Sequence, residues 1–371
     1  MTEVGQRRDY AVIGAGMCGM TVALRLAEAG HGVTLLEASD RLGGLADAWE
    51  LDGVTWDRHY HVTLLSDAHA RTLLEDLGLT ERLQWRTTRT GYFSGDRLVS
   101  MSNALEYLRL PGLGPIAKMR LAWTILRASR MRDVDHLDRL PVEEWLRHLS
   151  GRKVLERLWR PLLRAKLGER YPECSASFLW ATIRRLYAAR DSGLKTEMFG
   201  YVEGGYATTV EAFRVRLEEL GVVVRTGAKV QDVRHGGERW TVAVEGGPSA
   251  EFDRVVTTTT PRTTARICSA LPEEERRSLE AVEYQGLVCA SLLLEEPLAD
   301  YYLTYLMESD LPFTAVVEMS SFVDRTQLGG HHLVYLPLYL SADDPRFQQS
   351  DAEFRTSFLA GLQRISPHFR E

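Results

Sequence analysis

Lysine, cysteine and long apolar runs are scarce or absent in this 371-residue sequence. Only five of its 45 basic residues are lysines, and its arginines are spread evenly, which indicates base composition rather than a binding patch. The formal charge of −6 and the pI near 6.0 argue against a nucleic-acid-binding protein, because phosphate neutralisation requires a basic surface.

The four cysteines lie far apart, with no CxxC pair, so neither a metal site nor a disulfide framework is expected. The polar segment from Met1 to Asp9 has no apolar run of the kind that a signal peptide needs. No run of about 18 apolar residues occurs, so no membrane-spanning helix is predicted. These features predict a cytoplasmic protein, and they predict nothing about its oligomeric state.

The length favours two domains, because one hydrophobic core seldom organises so many residues. The first 37 residues follow a strand, helix, strand pattern. An apolar strand ends at Ile13, a helix with apolar residues at helical spacing runs from Met17 to Gly30, and a second strand ends at Glu37. This order is typical of a βαβ unit in a parallel sheet.

The glycines of this unit have the spacing Gly14-x-Gly16-x-x-Gly19, directly after the strand and at the start of the helix. Gly14 permits a tight turn, Gly16 lets the helix N-terminus approach a pyrophosphate, and Gly19 lets the helix pack closely on the strand. Glu37 stands where a carboxylate accepts ribose hydroxyls and disfavours a 2′-phosphate. A dinucleotide site is predicted, and an ordinary glycine-rich turn is the alternative.

A second glycine loop narrows the choice of cofactor. The segment Glu37-Ala-Ser-Asp-Arg41-Leu-Gly43-Gly44-Leu-Ala resembles the Arg-x-Gly-Gly segment of FAD enzymes in the superfamily of amine oxidases, phytoene desaturases, protoporphyrinogen oxidases and UDP-galactopyranose mutases. The resemblance implies FAD rather than NAD, with the arginine helping to neutralise the diphosphate.

The resemblance continues at Gly204-Gly205-Tyr206, at a strand containing Val230, and at the threonine run from Thr257 to Thr260, for which a plain polar turn is the alternative. Cys18, inside the first motif, is interpreted as a small packing residue rather than a reactive thiol. The cofactor-binding residues implied are Gly14, Ala15, Gly16, Met17, Cys18, Gly19, Glu37, Ala38, Arg41, Gly43, Gly44, Leu45, Arg58, His59, Tyr60, Val230 and Thr258.

The catalytic candidates are His61 and Lys166. An extended segment is predicted from Leu51 to His61, so that His59 and His61 would share one face beside the flavin, where a histidine suits proton transfer. A structural role for both histidines is the alternative. Lys166 belongs to the segment from Trp159 to Gly168, which resembles a "PLL-x-x-K-x-G" stretch of bacterial superfamily members.

An anionic small-molecule substrate would suit the cations of that segment. The alternative for them is a solvated helical face. The substrate-contact residues proposed from this reasoning are Arg160, Arg164 and Tyr206.

The fold class predicted is α/β. A Rossmann-type, glutathione-reductase-like FAD-binding domain (residues 1–85 and 200–275) would carry an inserted substrate domain, largely helical plus an antiparallel sheet (residues 86–199 and 276–371). Helical patterns cover 68–77, 103–190 and 351–364. Strand patterns cover 221–225, 240–245, 252–256, 287–294, 313–319 and 332–340.

The stretch 104–132 mixes apolar residues with arginines and lysine, a pattern typical of a helix at a membrane surface. A buried helix hairpin of the substrate domain is the favoured alternative, because Pro111 and Pro115 interrupt the stretch early. Peripheral membrane contact is therefore the second of two interpretations.

Superfamily members close with a C-terminal segment that lies against the pyrimidine end of the flavin. No such motif follows Gly361. The expectation is that this C-terminal FAD-contacting segment is absent, that the natural product is longer, and that the 371-residue form binds FAD weakly.

The resemblance implies an FAD-dependent oxidoreductase that removes hydride from a C–H bond of an amine, an alcohol or a desaturable carbon chain, in a biosynthetic pathway. One alternative is a flavoenzyme of the UDP-galactopyranose mutase type, without net redox change, acting on a nucleotide sugar. Another is a non-catalytic FAD-binding protein.

Overall fold

The computed structural model describes residues 6–102, 106, 112–188, 198–308 and 310–370. These residues form two compact units. The first unit comprises Met1–His59, Leu73–Arg82 and Val202–Glu283, and the second comprises Tyr60–Thr72, Leu83–Tyr201 and Tyr284–Glu371. Parallel and antiparallel sheets occur with helices throughout, so the predicted α/β class is confirmed.

Ten helices of seven or more residues are found in the described part of the chain. They are α1 Met17–Glu28, α2 Ala68–Asp76, α3 Pro115–Arg130, α4 Val142–Ser150, α5 Arg160–Leu167, α6 Ala176–Ala188, α7 Gly205–Glu219, α8 Pro261–Ile267, α9 Glu273–Glu280 and α10 Asp351–Ile365. A helical turn, Arg152–Val154, and a π-helical stretch, Leu155–Trp159, lead into α5.

The strands in the described residues fall into two groups along the chain. Those before residue 210 are β1 Asp9–Ile13, β2 Gly32–Leu36, β3 Ala48–Leu51, β4 Val54–Asp57, β5 Thr63–Leu64, β6 Leu83–Thr87, β7 Thr90–Ser94, β8 Arg97–Ser100 and β9 Met198–Val202. The later ones are β10 Val223–Arg225, β11 Val230–His235, β12 Trp240–Val244, β13 Ala250–Phe252, β14 Arg254–Thr257, β15 Gln285–Leu294, β16 Leu303–Leu306, β17 Ala315–Glu318 and β18 His332–Ser341.

The first unit is built on a parallel sheet with the order β10-β2-β1-β14. Successive residues of β1 face opposite sides of this sheet, as the pleat requires. Val12 packs with α1 and α7 on one side, and Ala11 and Ile13 pack with the antiparallel sheet β11-β12-β13 on the other. The parallel strands are thus covered on both faces, which explains why their sequences are continuously apolar.

The second unit contains a helical cluster and a six-stranded sheet. The sheet order is β15-β18-β17-β16-β7-β8, in which β16 and β7 run parallel and the other neighbours run antiparallel. One face of the β15/β18 pair packs against α10 through Phe358 and Leu362. Helices α3 to α6 share a second core that includes Trp145 and Trp159.

The extended segment predicted from Leu51 to His61 is confirmed only at Leu51 and from Val54 to Asp57. The chain forms a hairpin of β3 and β4 around Asp52, which has φ of 48°, and then bends at Arg58 and His59. The sequence pattern also missed β6, β7 and β8. The β7/β8 hairpin turns at Gly95 and Asp96, both with positive φ, and a Gly-Asp pair between alternating strands is a usable signal for that turn.

Residues 60–72 group with the second unit, whereas the domain ranges predicted from the sequence place them in the first. Those domain ranges stay a prediction. Parts of the predicted helical stretch, namely 103–105, 107–111 and 189–190, lie outside the described residues. Across the part of the chain that is described, no helix combines the length and the hydrophobicity that a membrane span demands.

A buried carboxylate lies beside a histidine in the second unit. Glu318 is 2% exposed, and its two oxygens accept the N–H groups of Leu298 and Ala299 at 3.2 and 3.0 Å. His332 Nδ1 lies 3.8 Å from Glu318 Oε1. Burial raises the pKa of Glu318 to about 7, against the lowering effect of the two backbone donors, while nearby Asp300 raises it further.

This raised pKa predicts a specific pH dependence of stability. The folded state holds the Glu318 proton more tightly than the unfolded state, so the contribution is fully present below about pH 4.5 and is lost as pH rises through 7. Glutamine cannot ionise, so Glu318→Gln does not lose this contribution. We expect the unfolding free energy of the variant minus that of wild type to rise by about 2 to 3 kcal/mol as the pH goes from 5 to 8.

Urea unfolding of both proteins at the two pH values measures this difference. His332 has its pKa lowered by burial and titrates in both proteins, so its opposite contribution largely cancels in the comparison. A difference that stays constant with pH would contradict the assignment.

Candidate functional site

The first glycine loop connects β1 to α1 and is shaped by two close backbone approaches. Gly14 has φ of +97°, and its N–H donates to the Leu36 carbonyl oxygen at 2.8 Å. A Cβ at Gly19 would lie only 1.8 Å from the Gly14 carbonyl oxygen. No side chain fits at position 19, so α1 packs directly against the turn that precedes it.

Gly16, by contrast, faces open space. A Cβ added there finds only the Gly43 carbonyl oxygen within 4 Å, at 4.0 Å. Gly16 is the N-cap of α1, makes no side-chain capping bond, and is followed by a first turn without an acidic residue. The first N–H groups of the helix therefore point to a cradle that a pyrophosphate could fill and that a larger side chain would obstruct.

Glu37 follows β2 at the same end of the parallel sheet. Its Oε2 accepts the Ala15 N–H at 2.7 Å, and its Oε1 accepts the N–H and the hydroxyl of Ser39, both at 2.9 Å. A carboxylate has about four acceptor positions, so one remains for a ribose hydroxyl. The Ala228 N–H donates to the Glu37 carbonyl oxygen at 2.7 Å, which brings the start of the Val230 strand to this edge.

The second glycine loop lies against the first. The Gly43 N–H donates to the Ala15 carbonyl oxygen at 2.9 Å, and a Cβ at Gly44 would lie 3.1 Å from Gly16 Cα. The Arg41 guanidinium bonds to Asp47 Oδ2 at 2.7 Å, and Arg58 lies 3.9 Å from the same oxygen. Both predicted cofactor arginines thus converge on one carboxylate, which holds them in place and offsets part of their charge.

The other predicted cofactor residues occupy varied environments. Cys18, Ala38 and Leu45 are exposed, and Leu45 is 79% exposed although it is apolar. Met17 is half-buried at the start of α1. The Thr258 hydroxyl donates to the carbonyl oxygens of residues 13 and 14 at 3.1 and 3.0 Å, so it supports the first loop from behind.

The second unit brings Tyr60 and Lys166 together through a residue that the sequence pattern did not identify. Lys166 Nζ donates to the Tyr339 hydroxyl at 2.8 Å and lies 4.4 Å from the centre of the Tyr339 ring. The hydroxyls of Tyr339 and Tyr60 are 2.6 Å apart. Burial, and then the neighbouring Tyr339, raise the pKa of Tyr60, so its phenol stays protonated at neutral pH.

Tyr339 could have been found from its strand. In β18 the odd-numbered residues share one face, and Tyr335 and Tyr339 are two of them. The same sheet face carries Cys289 and Ser291 of β15, which pair with Pro337 and Tyr335. The Ser291 hydroxyl is buried without a hydrogen-bond partner among the described residues. Burial raises the pKa of the Cys289 thiol to about 12.

The two arginines near Lys166 are engaged in ion pairs. Arg160 Nε bonds to Glu143 at 2.8 Å, and this bond is the main reason that the pKa of Glu143 lies below its ordinary value. Arg164 Nε lies 2.9 Å from Glu169 Oε1 and forms an ion pair with it, without hydrogen-bond geometry. Lys166 has no carboxylate within salt-bridge distance among the residues that the structure describes.

The two remaining predicted site residues, Tyr206 and His61, belong to different units. Tyr206 is in the first turn of α7, and its N–H donates to the buried Asp57 carboxylate at 2.6 Å, so this backbone contact fixes the helix N-terminus. His61 belongs to the second unit, half-buried between the bend at Arg58 and β5. Its predicted role in proton transfer remains a prediction.

The parallel sheet, the open helix N-terminus and the carboxylate at the end of the second strand define a dinucleotide-binding α/β protein. The sequence model of the family described as "Flavin containing amine oxidoreductase" matches residues 17–370. The chain belongs to this family of flavin-containing amine oxidoreductases. The predicted superfamily resemblance and the predicted FAD cofactor are thereby confirmed.

Curated relatives match over part of their length. The chain is 38% identical over 79 residues to a 15-cis-phytoene desaturase of Narcissus pseudonarcissus, covering 21% of the chain and 14% of that protein. It is 25% identical over 262 residues to a probable zeta-carotene desaturase of Synechococcus elongatus, covering 60% of the chain and 54% of that protein. Less than two thirds of each relative is therefore matched.

A solved structure shows the same fold over nearly the whole chain. It is a putative protoporphyrinogen oxidase from Exiguobacterium sp. 255-15, with a TM-score of 0.77 and 18% identity. The similarity covers 99% of this chain and 84% of that one.

The open position of Gly16 predicts a loss of cofactor without loss of fold. We expect Gly16→Val to reduce bound FAD at least about tenfold, because its side chain would fill the phosphate cradle. The unfolding temperature of the flavin-free protein should stay close to that of wild type, since a Cβ at this position has no neighbour closer than the Gly43 carbonyl oxygen at 4.0 Å.

Gly19→Val is the matched control. Its side chain would collide with the Gly14 carbonyl oxygen, so we expect it to lower the unfolding temperature of the flavin-free protein. Flavin absorbance of the purified proteins and thermal unfolding after flavin removal measure both effects. Normal flavin retention by Gly16→Val would show that the phosphates bind elsewhere.

Proposed function

We propose that this protein is an FAD-dependent oxidoreductase that removes hydride from a C–H bond of a small molecule. The observation that carries the proposal is the open helix N-terminus at Gly16, placed beside Glu37 in a member of a flavin-containing family. Desaturases among the relatives favour a carbon chain as the site of oxidation, ahead of an amine or an alcohol.

In this proposal the first unit holds the ADP half of FAD. The N–H groups at the start of α1 bind the pyrophosphate. Glu37 accepts a ribose hydroxyl, either in place of the Ala15 N–H or in addition to it. The backbone around Val230 borders the adenine. When bound, the flavin supplies a two-electron acceptor for hydride, and the protein supplies position and electrostatics.

The second unit supplies the groups that would meet the substrate. Tyr60 is a neutral hydrogen-bond donor, because its raised pKa keeps its proton in place. Lys166 is an ammonium held on the Tyr339 ring and hydroxyl, which fixes its direction while leaving it partly exposed. A carboxylate or similar anionic group on the substrate would pair with Lys166, and His61 would move a proton.

The ion pairs of the neighbouring arginines favour this reading over that of a nucleotide-sugar mutase. A diphosphate clamp needs arginines whose guanidinium groups can turn to phosphate oxygens. Arg160 instead bonds to Glu143, and Arg164 is ion-paired with Glu169. If Arg160 turned to a phosphate, it would leave the partly buried Glu143 carboxylate without this partner. The mutase reading is therefore the second candidate.

The finer architecture belongs to the same proposal. We assign the first unit to a glutathione-reductase-like FAD-binding domain near residues 1–85 and 200–275. The second corresponds to a substrate domain near 86–199 and 276–371. The scattered cysteines favour a reducing, cytoplasmic setting.

The experiment that tests the function is anaerobic mixing of the flavin-loaded protein with candidate amines, polyols, carotenoid precursors and nucleotide sugars. Bleaching of the flavin absorbance together with an oxidised product supports the oxidoreductase. A rearranged product with no net redox change supports the mutase. Flavin retention with no bleaching and no product from any candidate supports a non-catalytic FAD-binding protein.

Lys166 provides a sharper test of the substrate side. With a carboxylate-bearing substrate that the flavin-loaded protein oxidises, we expect Lys166→Met to raise KM by about 10- to 100-fold, the range for a lost charged hydrogen bond. The flavin spectrum should stay unchanged. The matched control Arg164→Met should change KM by no more than about twofold, because Arg164 is paired with Glu169. Equal KM values for both variants would contradict the assignment.

A further inference from the structure

Helix α3 of the second unit exposes a row of large apolar side chains. Ile116, Met119 and Trp123 are 72, 68 and 57% exposed. At 3.6 residues per turn these three positions fall within about 60° of one another around the helix axis. Single exposed apolar residues are common on protein surfaces, but three on successive turns of one helix form a continuous stripe.

The opposite face of α3 fixes the orientation of this stripe. Ala117, Leu121 and Ala128 are buried in the core of the helical cluster. The Thr124 hydroxyl lies 2.8 Å from that of Ser150, and Trp180 Nε1 donates to the Ala128 carbonyl oxygen at 3.1 Å. Because this face is anchored, α3 cannot roll to bury the stripe in its own unit.

The charge of the same region is opposite in sign to that of the whole chain. Residues 112–132 contain five cations and no carboxylate, whereas the chain carries a formal charge of −6. Arg120 and Arg127 border the stripe on one side. Arg120 also lines a cavity of about 310 Å³ with Ile116 and Lys153, so cationic groups adjoin the apolar row directly.

We propose that α3 docks the protein on the surface of an anionic lipid bilayer, with Ile116, Met119 and Trp123 inserted among the lipids. An apolar stripe flanked by cations is the pattern that binds such a surface, and tryptophan favours the boundary between acyl chains and headgroups. Arg120, Arg127 and Arg130, which share the stripe side of the helix, then face lipid phosphates.

A second copy of this chain fits the stripe less well. A symmetric contact through the stripe would bring Arg120, Arg127 and Arg130 of one copy close to the same residues of the other, with no carboxylate on the helix to offset them. An anionic surface supplies the missing charge, so the lipid is the occupant that the charge pattern favours. This inference does not depend on the proposed function.

Sedimentation with lipid vesicles tests the proposal. The flavin-loaded full chain should bind vesicles of phosphatidylcholine and phosphatidylglycerol, and bind pure phosphatidylcholine at least about tenfold more weakly. The triple variant Ile116→Ser, Met119→Ser, Trp123→Ser should bind the anionic vesicles at least about tenfold more weakly than wild type.

Two further variants separate the contributions. Replacing Arg127 and Arg130 with glutamine should weaken binding to anionic vesicles by about fivefold for each cation removed, and high salt should mask this effect. The matched control, Val282→Ser with Tyr284→Ser, removes exposed apolar groups elsewhere and should bind as wild type does. Flavin content and unfolding temperature should be unchanged in all of them.

Several outcomes would overturn the proposal. One is that wild type does not sediment with anionic vesicles, and another is that the triple variant sediments equally well. A third is that the protein self-associates in the absence of lipid and that only the triple variant abolishes this association, which would identify a second copy as the occupant.

Discussion

The close approach of α1 to the turn before it is the constraint on which the candidate cofactor site depends. Because Gly19 lies against the Gly14 carbonyl, the helix begins immediately at the end of β1. Its unsatisfied N–H groups therefore emerge at the edge of the parallel sheet, where Gly16 leaves space open. The second glycine loop bonds to the first through Gly43, so two loops of backbone, rather than a set of charged side chains, form the cradle.

That constraint is local in sequence, and this explains why the sequence predicts it well. Three glycines and a terminal glutamate at fixed spacing are enough, since each has its effect within one βαβ unit. The sheet of the second unit is different. Strand β16 pairs in parallel with β7, more than 200 residues away, and no local pattern specifies such a partner. The β7/β8 hairpin is different again, because the Gly95-Asp96 pair at its turn is a local signal.

Site side chains were predictable by type but not by partner. The sequence singles out Arg160, Arg164 and Lys166 as neighbouring cations. Tertiary structure decides that the two arginines form ion pairs with glutamates while the lysine bonds to Tyr339. Tyr339 comes from a strand 173 positions further along the chain, so only the fold assigns it to Lys166. The residue type sets the chemistry of a side chain, and its partner in the fold determines whether the side chain is available to bind a substrate.

Charge shows the same difference between what the composition gives and what the local structure decides. A net charge of −6 suggests a surface that repels anions, but salt screens charges beyond about 8 to 10 Å. The field near any surface therefore reflects only the charges close to it. The stretch 112–132 carries five cations and no carboxylate, and Asp133 and Asp135 follow it directly. The helix that bears the apolar stripe therefore carries a charge opposite in sign to the net charge of the chain.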